Sequence, residues 1–513
     1  MCVRATALAA CILLAIADAG CQPTTPRRGI TLLVESPPDS LDDRLALSAV
    51  GQRLAQLITP GLVTFDDESR PVPDLAQSFR QLDPTTIEFV LRPELEFHNG
   101  SALTARDVQA TFQALLQRAI PSPRGDRLEP VDRIETLGDR VVRFHLKRPY
   151  APILAELSMG IVPASRARET ELQDRAPIGA GPFVFEARPD EEHIDLVPFA
   201  RYYGGRPRIS ALHVRVVRDE TARVLELLKG RADLASNAVS PAVLPLLRAE
   251  PHLRVLSRPG SGFAYMAFNV RSGPVSDIRV RRAICHLIDT VPILEHKFHG
   301  LAERATGMLP VTHWAYAPTP GCTHDPARAA ALLDAAGFPA PNGPGGRPRL
   351  ALSYKTSSDR FRKSIALVLK EQLKQGGIDV DLRALEFGTF FNDVRGGNFE
   401  IFTLKWVAVI EPDLLRWVFG SAHIPTPENN FGGLNRGGYS SPELDRILER
   451  TSAAGPDERR VLYAEAQRIV DRDLPYVPLW HETSVAVVSR RLQDFEPSAH
   501  GYFRPLAAAA EVW

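Results

Sequence analysis

Apolar and polar positions along this chain alternate in two periods, and the two periods succeed one another throughout its length. Val108, Phe112, Leu115 and Leu116 recur at helical spacing behind Thr104-Ala-Arg-Asp107, which reads as a capping box that starts a helix. Asp325-Pro326 supplies an N-cap followed by a proline at the first helical position, and the alanine- and leucine-rich run beyond it stops at Gly337. Ser441-Pro442 opens another helix in the same way. A long helix is predicted from about Ser358 to Gly376-Gly377, followed by the alternating strand IDVDLRAL, so the pair reads as one α/β unit. Further strands are expected at Gly29–Glu35, Thr86–Leu91, Val141–Leu146, His193–Pro198, Leu212–Val217 and Phe263–Val270. Gly/Pro punctuation at Ala180-Gly181-Pro182, Arg258-Pro259-Gly260 and Asn342–Gly346 marks candidate boundaries. No repeat of about 20–50 residues is visible, so the pattern describes a mixed α/β body of several lobes rather than a solenoid or propeller.

The length of 513 residues exceeds one ordinary domain. Basic and acidic residues balance at 61 each, and no dense Lys/Arg run occurs, so the electrostatic footprint of a nucleic-acid partner is missing. The N-terminus carries more information. A short basic start, Met1–Arg4, precedes an apolar core of thirteen residues, Ala5–Ala17, which is too short to span a bilayer and fits a signal-peptide core. That core runs into Asp18-Ala19-Gly20-Cys21, which is similar to a bacterial lipobox with Asp18 in place of the usual Leu. The favoured expectation is removal of residues 1–21, lipidation of Cys21 and a Pro/Thr/Arg tether over 22–28. The alternative is an ordinary secretory signal with a chance cysteine. Of the remaining cysteines, export permits a Cys285–Cys322 disulfide, but Cys285 lies in the helical pattern RVRRAICHLID, where a free buried thiol is the commoner outcome.

Catalytic signatures are absent. The chain has no G-x-S-x-G elbow, phosphate-binding loop, G-x-G-x-x-G, H-E-x-x-H or C-x-x-C. His296 and His299, three apart on one helical face, are the nearest approach to a metal pair, and no third ligand accompanies them. Glu411 and Asp413 flank a proline, a setting that more often solvates a turn than performs acid/base work. No cofactor, resident metal or catalytic group is therefore expected.

The segment LVTFDDESRPVPDLAQSFRQLDPTTIEFVLRPELEFHNGSALTARDVQATFQALL, Leu62–Leu116, resembles the signature region of the family 5 extracellular solute-binding proteins, the oligopeptide, dipeptide and nickel receptors of ABC importers. Ile178–Phe183 (IGAGPF), Phe268–Asp289 (FNV…DIRVRRAI…ID), Asp325–Gly337 and Leu474–Leu479 (LPYVPL) resemble further blocks of that family in the same order. The resemblance spans about Leu32–Leu506. It implies a three-lobed type II periplasmic binding protein of the large, cluster C-like kind. Lobe I would comprise 29–48, 176–264 and 481–513, lobe II 49–175 and lobe III 265–480, with a hinge between lobes I and III near Gly262–Phe268 and Leu479–Thr483. It also implies capture of a small solute, a peptide or something peptide-like, by lobe closure and delivery to permease subunits. A monomer is expected, meeting the membrane only through its lipid.

The pattern departs from the family at the site. Relatives that grip free peptides carry a Trp and, three residues later, an Asp that pairs with the peptide's α-ammonium; here Trp406, Val407 and Ala408 keep the frame, but Val409 stands at the acidic position. Either Glu411, Asp413 or Glu35 supplies the charge from elsewhere, or the ligand has no free amine at this wall, and the second reading is favoured. Trp406 is expected as a flat wall of the site, with Asn269, Asn237 and Tyr265 as hydrogen-bonding candidates. The competing readings are an opine, sugar or chelated-metal receptor within the family and, outside it, a hydrolase of peptides or cell-wall fragments.

Overall fold

The computed structural model describes residues 28–122, 124–340 and 348–512; the expected signal segment, the lipidation site Cys21 and nearly all of the tether lie outside them. Eleven strands form one mixed sheet. Ten of them run in the order 378–385, 350–357, 401–406, 253–268, 476–489, 234–236, 30–34, 212–216, 193–198 and 183–187, and 302–304 pairs with 476–489 off this path. The long strands Leu253–Phe268 and Tyr476–Ser489 lie antiparallel at its centre and belong to both halves.

Strand alternation explains how the sheet is covered on both faces. Ala264, Met266 and Phe268 point into one apolar cluster with Ile284 and Leu369, whereas Phe263, Tyr265 and Ala267 point into another with Phe402 and Tyr463. The other half behaves alike. Leu32, Val34, Ala486 and Val488 enter one cluster, and Leu33, Val485 and Val487 enter the opposite one.

Local signals placed four of the helices. The Thr104–Asp107 box caps Ala105–Leu116, the Asp325 side chain accepts from Arg328 N ahead of Pro326–Ala335, and Ser441 accepts from Leu444 N ahead of Pro442–Ala453. Asp359 caps Arg360–Gln375, which leads into the strand Ile378–Leu385. The strand expected at Phe263–Val270 is longer, Leu253–Phe268, and includes the stretch Arg258-Pro259-Gly260. The strand continues through it with a register shift between Arg258 and Gly262, because glycine and proline are tolerated where a ladder bulges. A Cβ on Gly260 would lie 2.3 Å from Glu482 O, so only glycine permits this approach of the two long strands.

A smaller unit has its own core. The strands Ala76–Asp83, Thr86–Leu91, Val141–Leu146 and Val131–Leu137 form a separate antiparallel sheet, and Val108, Phe112 and Leu115 of the capped helix join Phe89, Val142 and Phe144 in one cluster. Its entry and exit meet: Gly181 N donates to Ile58 O at 2.9 Å. Cβ atoms on Gly179 and Gly181 would lie 1.9 Å from Ile58 O and 2.3 Å from Leu57 O, which explains the glycines of IGAGPF as a close approach to the end of helix Ala49–Ile58.

The cysteine expectation is also corrected. Cys285 and Cys322 form a disulfide with a Cα–Cα distance of 5.8 Å. No helix among the described residues is long and apolar enough to cross a membrane.

Candidate solute site

The site grows out of the strand Ile401–Trp406, which pairs antiparallel with 253–268 so that Trp406 lies opposite Phe263 and Lys405 opposite Ala264. Beyond Trp406 the chain leaves the ladder but stays stitched to its surroundings. Val409 N donates to Ser261 O at 2.9 Å, and Lys405 Nζ reaches Glu482 Oε2 on the other long strand at 2.5 Å. His313 Nε2 hydrogen-bonds Ile410 O at 2.9 Å while Nδ1 accepts from Ala315 N. That pattern fits the neutral ring, and burial depresses the His313 pKa to about 4.

Trp406 is half-buried, with Val407 exposed and Ala408 half-buried beside it. The Arg436 guanidinium lies 5.7 Å from the Trp406 ring centroid and 4.7 Å from that of Phe391. The indole Nε1 is shielded from solvent without a hydrogen-bond partner.

Several expected ligand contacts turn out to be engaged inside the protein. Val409 is fully buried in the cluster containing Leu415, Val418 and Tyr463, because the turn after Trp406 breaks the strand alternation that would have aimed it outward. Glu411 is paired with Arg459 at 2.5 Å, and Asp413 with Arg416 at 3.0 Å. Burial raises both carboxyl pKa values, with Arg459 and Arg416 respectively opposing it. Burial disfavours the Arg459 charge, yet Glu411 and Tyr463 outweigh it and hold the guanidinium protonated over the Trp314 and Tyr463 rings.

Asn269 Nδ2 donates to Gly397 O and Phe399 O at 3.1 and 3.2 Å, fixing a loop. Asn237 sits in the left-handed region at φ 53°; its N donates to Val485 O and its Oδ1 accepts from Val485 N, both at 2.8 Å, so it staples the strand 476–489. Tyr265 is fully buried and stacked on Tyr476 at 4.4 Å between centroids. Asn269 and Asn237 are thus held by partners within the protein, and Tyr265 packs in the cluster with Phe402 and Tyr463. Glu35 is half-buried and acts electrostatically on Arg53, whose pKa burial lowers and Glu35 partly restores. His296 and His299 are exposed, and no group of three or more metal-ligating side chains occurs among the described residues.

Arg436 is the residue that sequence reasoning missed. It is brought beside Trp406 by the loop Asn435-Arg-Gly-Gly438, in which the buried Asn435 amide donates to Gly420 O and Tyr439 O and accepts from Tyr439 N. The glycines were the available signal: a Cβ on Gly437 would lie 2.4 Å from Phe268 O, so the loop is pressed against the central strand.

Segments far apart in sequence close over this region. Arg258 pairs with Asp67 at 2.6 Å, Trp314 N donates to Glu68 O at 3.0 Å, and Ala151 N donates to Ser452 O at 2.8 Å. The chain is 28% identical over 482 residues to the probable di/tripeptide-binding protein 5 of Pseudomonas aeruginosa, covering 87% of this chain and 89% of that one. It is 27% identical over 482 residues to heme-binding protein A of Haemophilus influenzae, with 87% and 86% covered. NikZ from Campylobacter jejuni, solved in complex with Ni(L-His), shares the fold with a TM-score of 0.82 at 22% identity, over 95% of this chain and 100% of that one. Residues 70–423 match the model of the bacterial extracellular solute-binding proteins, family 5, and the chain belongs to that family.

Proposed function

We propose that this protein is the receptor of an ABC importer, held outside the cytoplasmic membrane by a lipid on Cys21 and acting as a monomer without catalysis. It captures a peptide or peptide-like solute when lobe III (265–480) closes on lobes I (29–48, 176–264, 481–513) and II (49–175), and it presents the closed form to the permease. The observation that carries this reading is the pair of long central strands, continuous through both halves, with a bulge at 258–262 where backbone dihedrals can change without breaking the ladder. The contacts of Glu68 and Ala151 in lobe II with Trp314 and Ser452 in lobe III support a closed form. Trp406 and Val407, accessible on the wall beside the hinge, are the surfaces offered to an apolar or planar part of the solute, with Ala408 and Glu35 as further contacts.

Native mass spectrometry of the purified protein tests the reading: a bound peptide-like mass, released on denaturation, is expected. Trp406→Ala should weaken binding of that solute at least several-fold while leaving the circular dichroism spectrum unchanged. A bound mass that is not peptide-like would overturn the ligand class, and turnover of added peptides into fragments would overturn the receptor reading. Unchanged affinity in the variant would remove Trp406 from the site.

A further inference from the structure

We infer that Arg436 is the anion anchor of the solute site, so that the solute presents a carboxylate to the Trp406 wall and not the ammonium that a carboxylate at position 409 would hold. The inference rests on the receptor reading above and adds the polarity of the ligand's anchored end.

Arg436 is 5% exposed, and its Nε is sealed from solvent with no hydrogen-bond partner. Its neighbours on the same lobe are treated differently. Arg459 and Arg416 are paired with Glu411 and Asp413 at 2.5 and 3.0 Å, whereas no carboxylate lies within 4.0 Å of Arg436 among the described residues. A guanidinium removed from water and left without a counter-ion is a costly arrangement unless a partner arrives from outside. The fold holds it ready nonetheless. Asn435 fixes the backbone on one side, and the faces of Phe391 and Trp406 cover the planar cation.

The donors around it are of one kind. Trp406 Nε1 is buried without an acceptor, and an indole nitrogen can only donate. The Tyr265 and Tyr476 hydroxyls lie buried beside one another, and both feel the Arg436 charge. A guanidinium without a counter-ion and an indole N–H without an acceptor form a surface for an oxyanion. Planar, bidentate pairing of Arg with a carboxylate satisfies two of these donors at once. Val409 completes the argument from the other side: it is buried and apolar where an ammonium-binding site needs a charge.

The test is a thermal-shift panel of matched carboxylate and amide pairs on the purified protein: N-acetyl dipeptides with free or amidated C-termini, and gluconate against gluconamide. Wild type, Arg436→Met and Arg436→Lys are compared. Stabilisation by the peptide carboxylates, at least tenfold tighter than by the amides and lost in Arg436→Met, is expected. The lysine variant, which keeps the charge but not the fork, should retain part of the preference, and it serves alone if the methionine variant does not fold. Response to gluconate only, abolished by the substitutions, would uphold the anchor while overturning the peptide reading. Amides binding as well as carboxylates, or a carboxylate preference unchanged in both variants, would overturn the anchor while leaving the receptor intact. No carboxylate response from wild type would also overturn it.

Discussion

Reduction of the Cys285–Cys322 disulfide should loosen the half of the molecule that carries Trp406 and Arg436. The bond ties the helix Ile278–Leu287 to the segment leading into helix Pro326–Ala335 across a sequence separation of 37. Closing a loop of that length removes about 4 kcal/mol of chain entropy from the unfolded state. Some of the same geometry survives without the bond: His286 Nδ1 hydrogen-bonds Thr323 O at 2.7 Å, and Asp325 N donates to His286 O at 2.9 Å. The loss is therefore expected at about 2–4 kcal/mol, which for a body of this half's size corresponds to a fall in Tm of about 5–15 °C. Differential scanning calorimetry of protein lacking residues 1–21, with and without a phosphine reductant, measures it. The Cys285→Ala/Cys322→Ala double variant should match the reduced protein and be insensitive to reductant. Two titratable thiols in the unreduced protein, together with an unchanged Tm on reduction, would refute the reasoning.

Three other outcomes follow from buried charge and close approach. Asp74 is buried and pairs through both oxygens with Arg504 while accepting from the Tyr203 hydroxyl; Asp74→Ala strands the arginine and should cost about 3 kcal/mol, read from urea midpoints. Burial raises the Glu156 pKa, with Arg127 opposing it at 3.6 Å, so its stabilising contribution is present at acid pH and lost as pH rises through the folded-state value. Glu156→Gln should match wild type near pH 4.5 and exceed it in stability at pH 8; the reverse order would show that the Arg127 pair dominates. Gly260→Ala places a Cβ against Glu482 O and should spread the long strands, lowering stability by about 1–3 kcal/mol and enlarging the radius of gyration in solution scattering.

What the sequence makes legible here is what local chemistry decides. Thr104, Asp325 and Ser441 announce helices because a cap is made within four residues of itself. The length of the strand Leu253–Phe268 is not legible because Pro259-Gly260 suits a loop and a bulge alike, and only the partner strand distinguishes them. Trp406 is half-buried and Val407 exposed at the end of the strand, but Val409 turns inward because Ser261 captures its N–H after the ladder has ended. Arg436 lies thirty residues beyond Trp406 in sequence, and its meeting with that ring depends on the path of the intervening helix and loop. The disulfide was hidden for the same reason: a helical setting described Cys285 well, and its partner came from outside the helix.

The hydrogen bond from Gly181 to Ile58 closes the small unit's chain on itself like the neck of a purse. Everything between those two residues forms a cassette whose removal would leave ends already touching, ready to be joined by a single peptide link. Such a segment can lengthen, shrink or be exchanged for another without re-threading the long strands that both halves share. The small unit can thus change in size while the long strands shared by both halves keep their path.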